Sequence, residues 1–570
     1  MKHFKRLAVI LIVFGAGAAF FYFKSPEKTA VEATEALKVY YDVKKADAIN
    51  SRPIAVKKDG EIISLTMAQR PYMTQSMELM IPVTMAPRLF GVTVDALGDG
   101  RFLLSLDGHE TEAALGENTC LVDGKQLMVT DPLIRRNGTL YVSMELLAQT
   151  SGAGFSWDEA NNQAVIRSDA VSSALHERLP QAYDMREDGR LTPVRDQGNL
   201  GTCWAFASLG ALESALMPES SWCFSVDHMS FFCGYNMTQL DGGDFNMSLA
   251  YLTSWRGPVA ESDDPYGDGV SDEGLSSVVH LQEAVNIETK DYETIKQMIY
   301  TKGGVQSSFY SDMESATGNS SYYNAKTNAY FYPGANIANH DIVIVGWDDL
   351  YPKENFNVYP ENDGAFLCRN SWGSQFGDDG YFYISYEDTN IGADNLVFTR
   401  TDPVGRYDCI YQSDLLGWVG TMGYGEPSAW FANVYTASGE ESLEAAAFYA
   451  TGPGSSYDLY TVSHFTDSTS FDTMNYVKSG YIDRAGYYTV DFKVPVSLEA
   501  GEHFAVVLYL TTPGSERPVA IEYETGEWTS SVDITDGEGY LSYNGTTWEN
   551  IESTYQSNAC LKAFTKKAGS

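Results

Sequence analysis

Apolar side chains recur along this chain in several distinct rhythms. An unbroken apolar run from Leu7 to Phe23 follows Lys2, Lys5 and Arg6. A basic flank leading into such a run is the layout of an export signal. Its 17 residues are long for the apolar region of a cleaved signal and short for a relaxed membrane span. Ala16-Gly17-Ala18 offers a cleavage site, but Phe20 to Phe23 follow it, so the pattern favours an uncleaved anchor over residues 1–24 with the rest outside the cytoplasm. Residues 25–54 read as a linker.

Between about 55 and 170 the rhythm repeats. Ile81-Pro82-Val83-Thr84-Met85 before Leu89-Phe90-Gly91-Val92-Thr93-Val94 is echoed by Leu140-Tyr141-Val142-Ser143-Met144 before Leu146-Leu147 and Phe155-Ser156-Trp157, at an offset of 59. The repeat predicts strand, short helix and strand, twice over. Further on, Ala205, Leu209, Leu212 and Leu216 recur at helical spacing until Pro218 stops them, giving a buried helix of about four turns. His340 opens the β-branched run Asp341-Ile342-Val343-Ile344-Val345, a buried strand ending at Gly346. Asp348 to Asp363 is rich in Asp, Asn, Pro and Glu and reads as a surface loop. After about 403 the runs become short and alternating, as in Tyr487-Tyr488-Thr489-Val490-Asp491-Phe492 and His503 to Leu510, which predicts an antiparallel sandwich.

Charge narrows the function classes. The formal net charge is −38 and is spread along the chain, which favours solubility and argues against nucleic-acid binding. Seven cysteines in 570 residues make no disulfide scaffold, although Cys409 and Cys560 bracket the C-terminal region and are a candidate pair that spacing alone leaves open. In the repeat region only His109 and Cys120 are soft enough to interest a metal.

Candidate chemistry concentrates in Val194-Arg195-Asp196-Gln197-Gly198-Asn199-Leu200-Gly201-Thr202-Cys203-Trp204-Ala205-Phe206. A Gly-rich turn runs straight into the helix, so Cys203 falls in its first turn, where the dipole and free N–H groups favour a thiolate. Gln197, six residues earlier, carries an amide that reaches over the same turn toward a developing oxyanion. A cysteine before a tryptophan and an apolar helix is ordinarily a small buried hydrophobe. Here the surrounding letters resemble the active-site signature of the papain-like cysteine peptidases. Leu200 stands where that family often has a second cysteine, so the usual disulfide of this loop is absent.

The resemblance continues downstream. Asn339-His340-Asp341-Ile342-Val343 resembles the family's histidine strand, 137 residues after Cys203. Asp341 departs from the small apolar residue often found there. Asn370-Ser371-Trp372-Gly373 resembles the segment whose asparagine orients the imidazole and whose tryptophan shields that bond. Asn370 lies 167 residues after Cys203, and the surface loop before it accounts for the excess. Gly242-Gly243 resembles the glycine pair that binds substrate backbone, and Leu179 to Arg186 the start of the catalytic domain, placing it at 180–402.

The resemblance implies an α+β multidomain protein whose catalytic part has a helical lobe and a β-barrel-like lobe. It implies Cys203 as nucleophile, His340 as base, Asn370 as orienter, Gln197 and the Cys203 N–H as oxyanion hole, Gly242 and Gly243 as substrate contacts and Trp372 as shield. The thiol would pair with the imidazole as thiolate and imidazolium, its pKa falling to about 3–4 as in family members of this type. No cofactor or metal is implied, and the partners are protein or peptide substrates. Residues 55–170 resemble the copper amine oxidase N-terminal-like domain, without implying copper. Residues 403–567 resemble the lectin-like domain that follows some bacterial papain-like peptidases, which implies cell-wall or carbohydrate contact. The preferred reading is a secreted or membrane-anchored endopeptidase; an aminopeptidase on the same scaffold and an envelope adhesin with an idle peptidase domain are the rivals.

Overall fold

The computed structural model describes residues 43–65, 69–130, 132–159, 161–168, 179–313, 319–526, 528–529 and 532–569. The signal or anchor expected at 1–24 lies outside the described residues. Of the linker expected at 25–54, residues 25–42 lie outside the described residues, whereas residues 43–50 are helical and bury Ala46 and Ile49 in the core of the following module. Two apolar positions at helical spacing are too few to mark a helix in the sequence.

The repeat at offset 59 appears as two copies of one unit. The first runs through the strand Leu79–Pro82, the helix Ala86–Phe90 and the strand Thr93–Gly98; the second through Thr139–Ser143, Met144–Ser151 and Gly154–Asp158. The copies pair antiparallel, Val142 opposite Ile81, and share one apolar core. Neither copy could cover its own apolar face alone.

In the catalytic region the helix Cys203–Leu216 is buried on nearly every side, which its apolar composition requires. It packs against the strand His340–Asp348, buried at eight of its nine positions, and the strand Val305–Phe309. That sheet continues antiparallel through Ala365–Arg369 and Tyr381–Ser385. The helices Val226–Phe232 and Phe245–Thr253 complete a helical lobe against the sheet lobe. Residues 349–364 form a loop holding one short 3-10 turn at Lys353–Asn355.

The C-terminal region is a sandwich of two antiparallel sheets around a separate core. One sheet is continuous with the catalytic lobe, because Val279–Ile287 pairs with Gly486–Leu498, Ala284 opposite Tyr487. The other reaches the N-terminal module, where Asn475–Ile482 pairs with Thr93–Gly98. Lys478 meets Asp95 at 3.0 Å there, and Tyr476 Oη donates to Val94 O at 2.9 Å. The sandwich is therefore the hub on which both other parts hang. All seven cysteines are unpaired, Cys409 and Cys560 included. Among the described residues no helix is long and apolar enough to cross a membrane.

Candidate active site

Three chain segments converge where the long helix begins. The turn 195–202 delivers Cys203, the first residue of the strand 340–348 is His340, and Asn370 follows the last residue of the strand Ala365–Arg369. His340 and Asn370 are only 7% and 3% exposed. His340 Nε2 lies 2.8 Å from Asn370 Oδ1.

That contact fixes the imidazole tautomer. Ser371 N donates to the same Asn370 Oδ1 at 2.8 Å, so the oxygen, and not the amide nitrogen, must face the ring. Nε2 therefore carries the proton, and in the neutral ring Nδ1 is left as an acceptor. The Trp372 ring lies near His340, tilted, with centroids 4.8 Å apart, and Phe309 meets the imidazole edge-on at 5.7 Å, so two aromatic rings pack on it.

Gln197 is nearly buried and committed at both ends of its amide. Nε2 donates to Leu200 O at 2.7 Å, and Oε1 accepts from Ser371 Oγ at 2.6 Å. An amide nitrogen has two hydrogens, so one remains for a further acceptor. The backbone joins the same segments, Gln197 N donating to Ser371 O at 2.8 Å. Tyr266 Oη secures the turn from outside, donating to Gln197 O at 2.9 Å and lying 2.7 Å from Thr202 Oγ1. Gly242 and Gly243 pack on the same turn. A Cβ on Gly201 would come 2.8 Å from Gly242 N, and one on Gly243 would come 2.6 Å from Trp204 Nε1. Packing alone thus demands glycine at 201 and 243.

Electrostatics depart from the sequence expectation of a thiolate and imidazolium pair. Part of Cys203 reaches solvent, but dense packing around its sulfur pushes the thiol up to about 12, with the Asp341 carboxylate adding to the rise. Burial lowers His340 to about 4. Both shifts favour the uncharged form of each group in the substrate-free site. Asp341 is itself raised to about 6 by burial, although Ser308 Oγ donates to it at 2.6 Å and Gln306 Nε2 at 3.0 Å. The helix-end effect read from sequence is present, since backbone N–H groups face the sulfur, but desolvation outweighs it.

Several supporting residues escape a sequence reading. Glu213 is fully buried on the long helix and accepts from Arg195 Nη2 at 3.1 Å and Phe224 N at 2.9 Å, with Arg369 Nη1 at 3.9 Å. It ties together the turn, the helix and the asparagine strand. The one available signal is an acidic residue inside an otherwise apolar helix. Gln306 accepts from Ser208 Oγ and bridges Asp341 to Trp204 O, linking the histidine strand to the first turns of the helix. Among the described residues no group of three or more His, Cys, Asp or Glu is placed to hold a metal ion.

Comparison with known proteins divides the chain in three. Residues 179–400 match the papain family cysteine protease, residues 410–565 the lectin like domain and residues 59–166 the copper amine oxidase N-terminal domain. Cathepsin S of Bos taurus is 26% identical over 232 residues, covering 39% of this chain and 65% of that protein. Pro-cathepsin H of Mus musculus is 26% identical over 261 residues, covering 44% of this chain and 74% of that protein. The chain thus spans less than two thirds of cathepsin S. A solved structure of the cysteine protease and lectin-like domains of Cwp84, a surface layer associated protein of Clostridium difficile, aligns with a TM-score of 0.60 at 27% identity. It covers 69% of this chain and 90% of that one. Another structure of clostridial Cwp84, after propeptide cleavage, gives 0.61 at 27% identity, covering 68% and 99%. The chain carries a papain-like protease fold joined to a lectin-like domain.

Proposed function

We propose that the region 179–400 of this chain is a cysteine endopeptidase that hydrolyses peptide bonds with Cys203 as nucleophile. The observation that carries the reading is the hydrogen-bonded pair of His340 and Asn370, with the ring proton on Nε2 and Nδ1 left to accept. From neutral partners, His340 Nδ1 takes the thiol proton as sulfur attacks the carbonyl carbon, so charge separates only as the bond forms. The oxyanion then accepts from the Cys203 N–H and the spare hydrogen of Gln197 Nε2. His340 gives its proton to the leaving amine, leaving a thioester. Water, deprotonated by His340, attacks the thioester and releases the acid and the thiol. Asn370 keeps the ring in one tautomer throughout, and Trp372 keeps water from that bond.

The site of action follows from other features. The apolar run after Lys2, Lys5 and Arg6 supports export or anchoring, and Cwp84 is described as surface layer associated. We place the enzyme outside the cytoplasm, cutting proteins, with carbohydrate contact through the sandwich. A thiol-directed epoxide tests the chemistry: it is expected to add one equivalent to Cys203 in the purified full chain, and His340→Ala is expected to suppress the addition. Equal labelling of the two proteins would contradict His340 as the base.

A further inference from the structure

The wall beside the nucleophile is anchored at its outer end by the sandwich. Gly201 N donates to Gln239 O at 2.6 Å, so residues 239–243 lie flat against the turn that presents Cys203. Three residues further out, Asn236 N donates to Trp528 O at 2.9 Å. Trp528 belongs to the sandwich, on a turn after the strand Val519–Tyr523. Thr529 Oγ1 donates to Tyr523 O at 2.9 Å, and Trp528 N donates to Thr525 Oγ1 at 3.2 Å, so Trp528 and Thr529 are tied back to the end of that strand. A second clamp lies alongside, where Tyr235 Oη donates to Leu416 O at 3.0 Å.

Two large apolar residues adjoining these backbone contacts are exposed among the described residues. Leu240 is 73% exposed and Trp528 is 46% exposed. An exposed tryptophan tied back to a strand suits recognition, because it offers large area at small entropic cost. The reach fits a polypeptide. Gln239 to Asn236 spans at most about 11 Å, which an extended chain covers in three to four residues at roughly 3.3 Å each. Counted from the backbone contact beside the nucleophile, Trp528 O is therefore within reach of a substrate stretch of about six residues at most.

We propose that the sandwich completes the substrate cleft, Trp528 and Leu240 forming an outer subsite for an apolar side chain of the substrate polypeptide. The proposal rests on the peptidase reading and deepens it: it gives the sandwich a direct part in choosing where proteins are cut. It also accounts for the docking of a sandwich turn on a loop of the cleft.

The test compares two blocked fluorogenic peptides on the full chain. One has two residues before the scissile bond; the other has six, with leucine or tryptophan scanned through the outer three. Trp528→Ala is expected to lower kcat/KM on the long peptide about tenfold, to abolish its apolar preference at one outer position and to leave the short peptide within twofold. Binding of the long peptide to Cys203→Ala, with and without Trp528→Ala, gives the same comparison without turnover. The subsite is then separable from catalysis, because loss of turnover with retained Trp528-dependent binding would refute only the peptidase reading. Equal losses on both peptides, no loss on either, or a Trp528 fluorescence change elicited by N-acetylglucosamine oligomers and never by the long peptide would overturn the subsite.

Discussion

Asn370 accepts two hydrogen bonds through one oxygen, and this small arrangement decides which nitrogen of His340 is left free to accept a proton. Asn370→Ala frees the ring to turn, and kcat is expected to fall by about 10²–10⁴, the usual worth of a positioned base. Gln197→Ala removes one of the two oxyanion donors proposed above and is expected to cost about 10²–10³ in kcat, leaving measurable turnover. Protonation carries a clearer signature. With burial raising the thiol and lowering His340, alkylation by neutral iodoacetamide is expected to lack the acid-side plateau of a thiolate and imidazolium pair and to rise with pH. Asp341 is ionised above about 6, and its negative charge opposes the thiolate. Asp341→Asn is therefore expected to move the alkylation profile to lower pH. The His340–Asn370 contact and the place of Cys203 at the helix start could be read because each residue sits in its own recognisable local stretch. Their protonation was not, since it depends on burial and on an Asp341 side chain whose direction no local pattern reveals.

At the level of helices and strands, Glu213 is the joint. It meets Arg195 of the turn and faces Arg369 of the asparagine strand from within the helix that begins at Cys203. Glu213→Ala leaves two arginines near a buried site without their shared carboxylate, and a loss of about 3–5 kcal/mol in stability is expected in chemical denaturation, the usual cost of breaking a buried pair. The helix itself could be read from its apolar spacing and the proline after it, and the strand 340–348 from its β-branched run. The joint could not, because Arg195, Glu213 and Arg369 are scattered in sequence and meet only in three dimensions. The pairing of Val279–Ile287 with Gly486–Leu498 was hidden for the same reason.

Across the molecule, one sheet runs from the catalytic lobe into the sandwich, so these two parts are expected to unfold together. Gly486 lies at the seam, where a Cβ would stand 2.2 Å from Ala284 O. Gly486→Val is expected to split the calorimetric transition into two and lower the first; a single unshifted transition would contradict sheet continuity. The N-terminal module hangs on the opposite sheet, where Lys478 meets Asp95 and Tyr476 donates to Val94 O. Every role proposed for the site residues depends on hydrolysis of internal peptide bonds by Cys203. Its most direct test is to incubate the purified full chain and its Cys203→Ala variant with a library of N-terminally acetylated peptides and sequence the products. Cleavage at internal bonds by the wild type alone is the predicted result; identical product spectra from the two proteins would contradict the account.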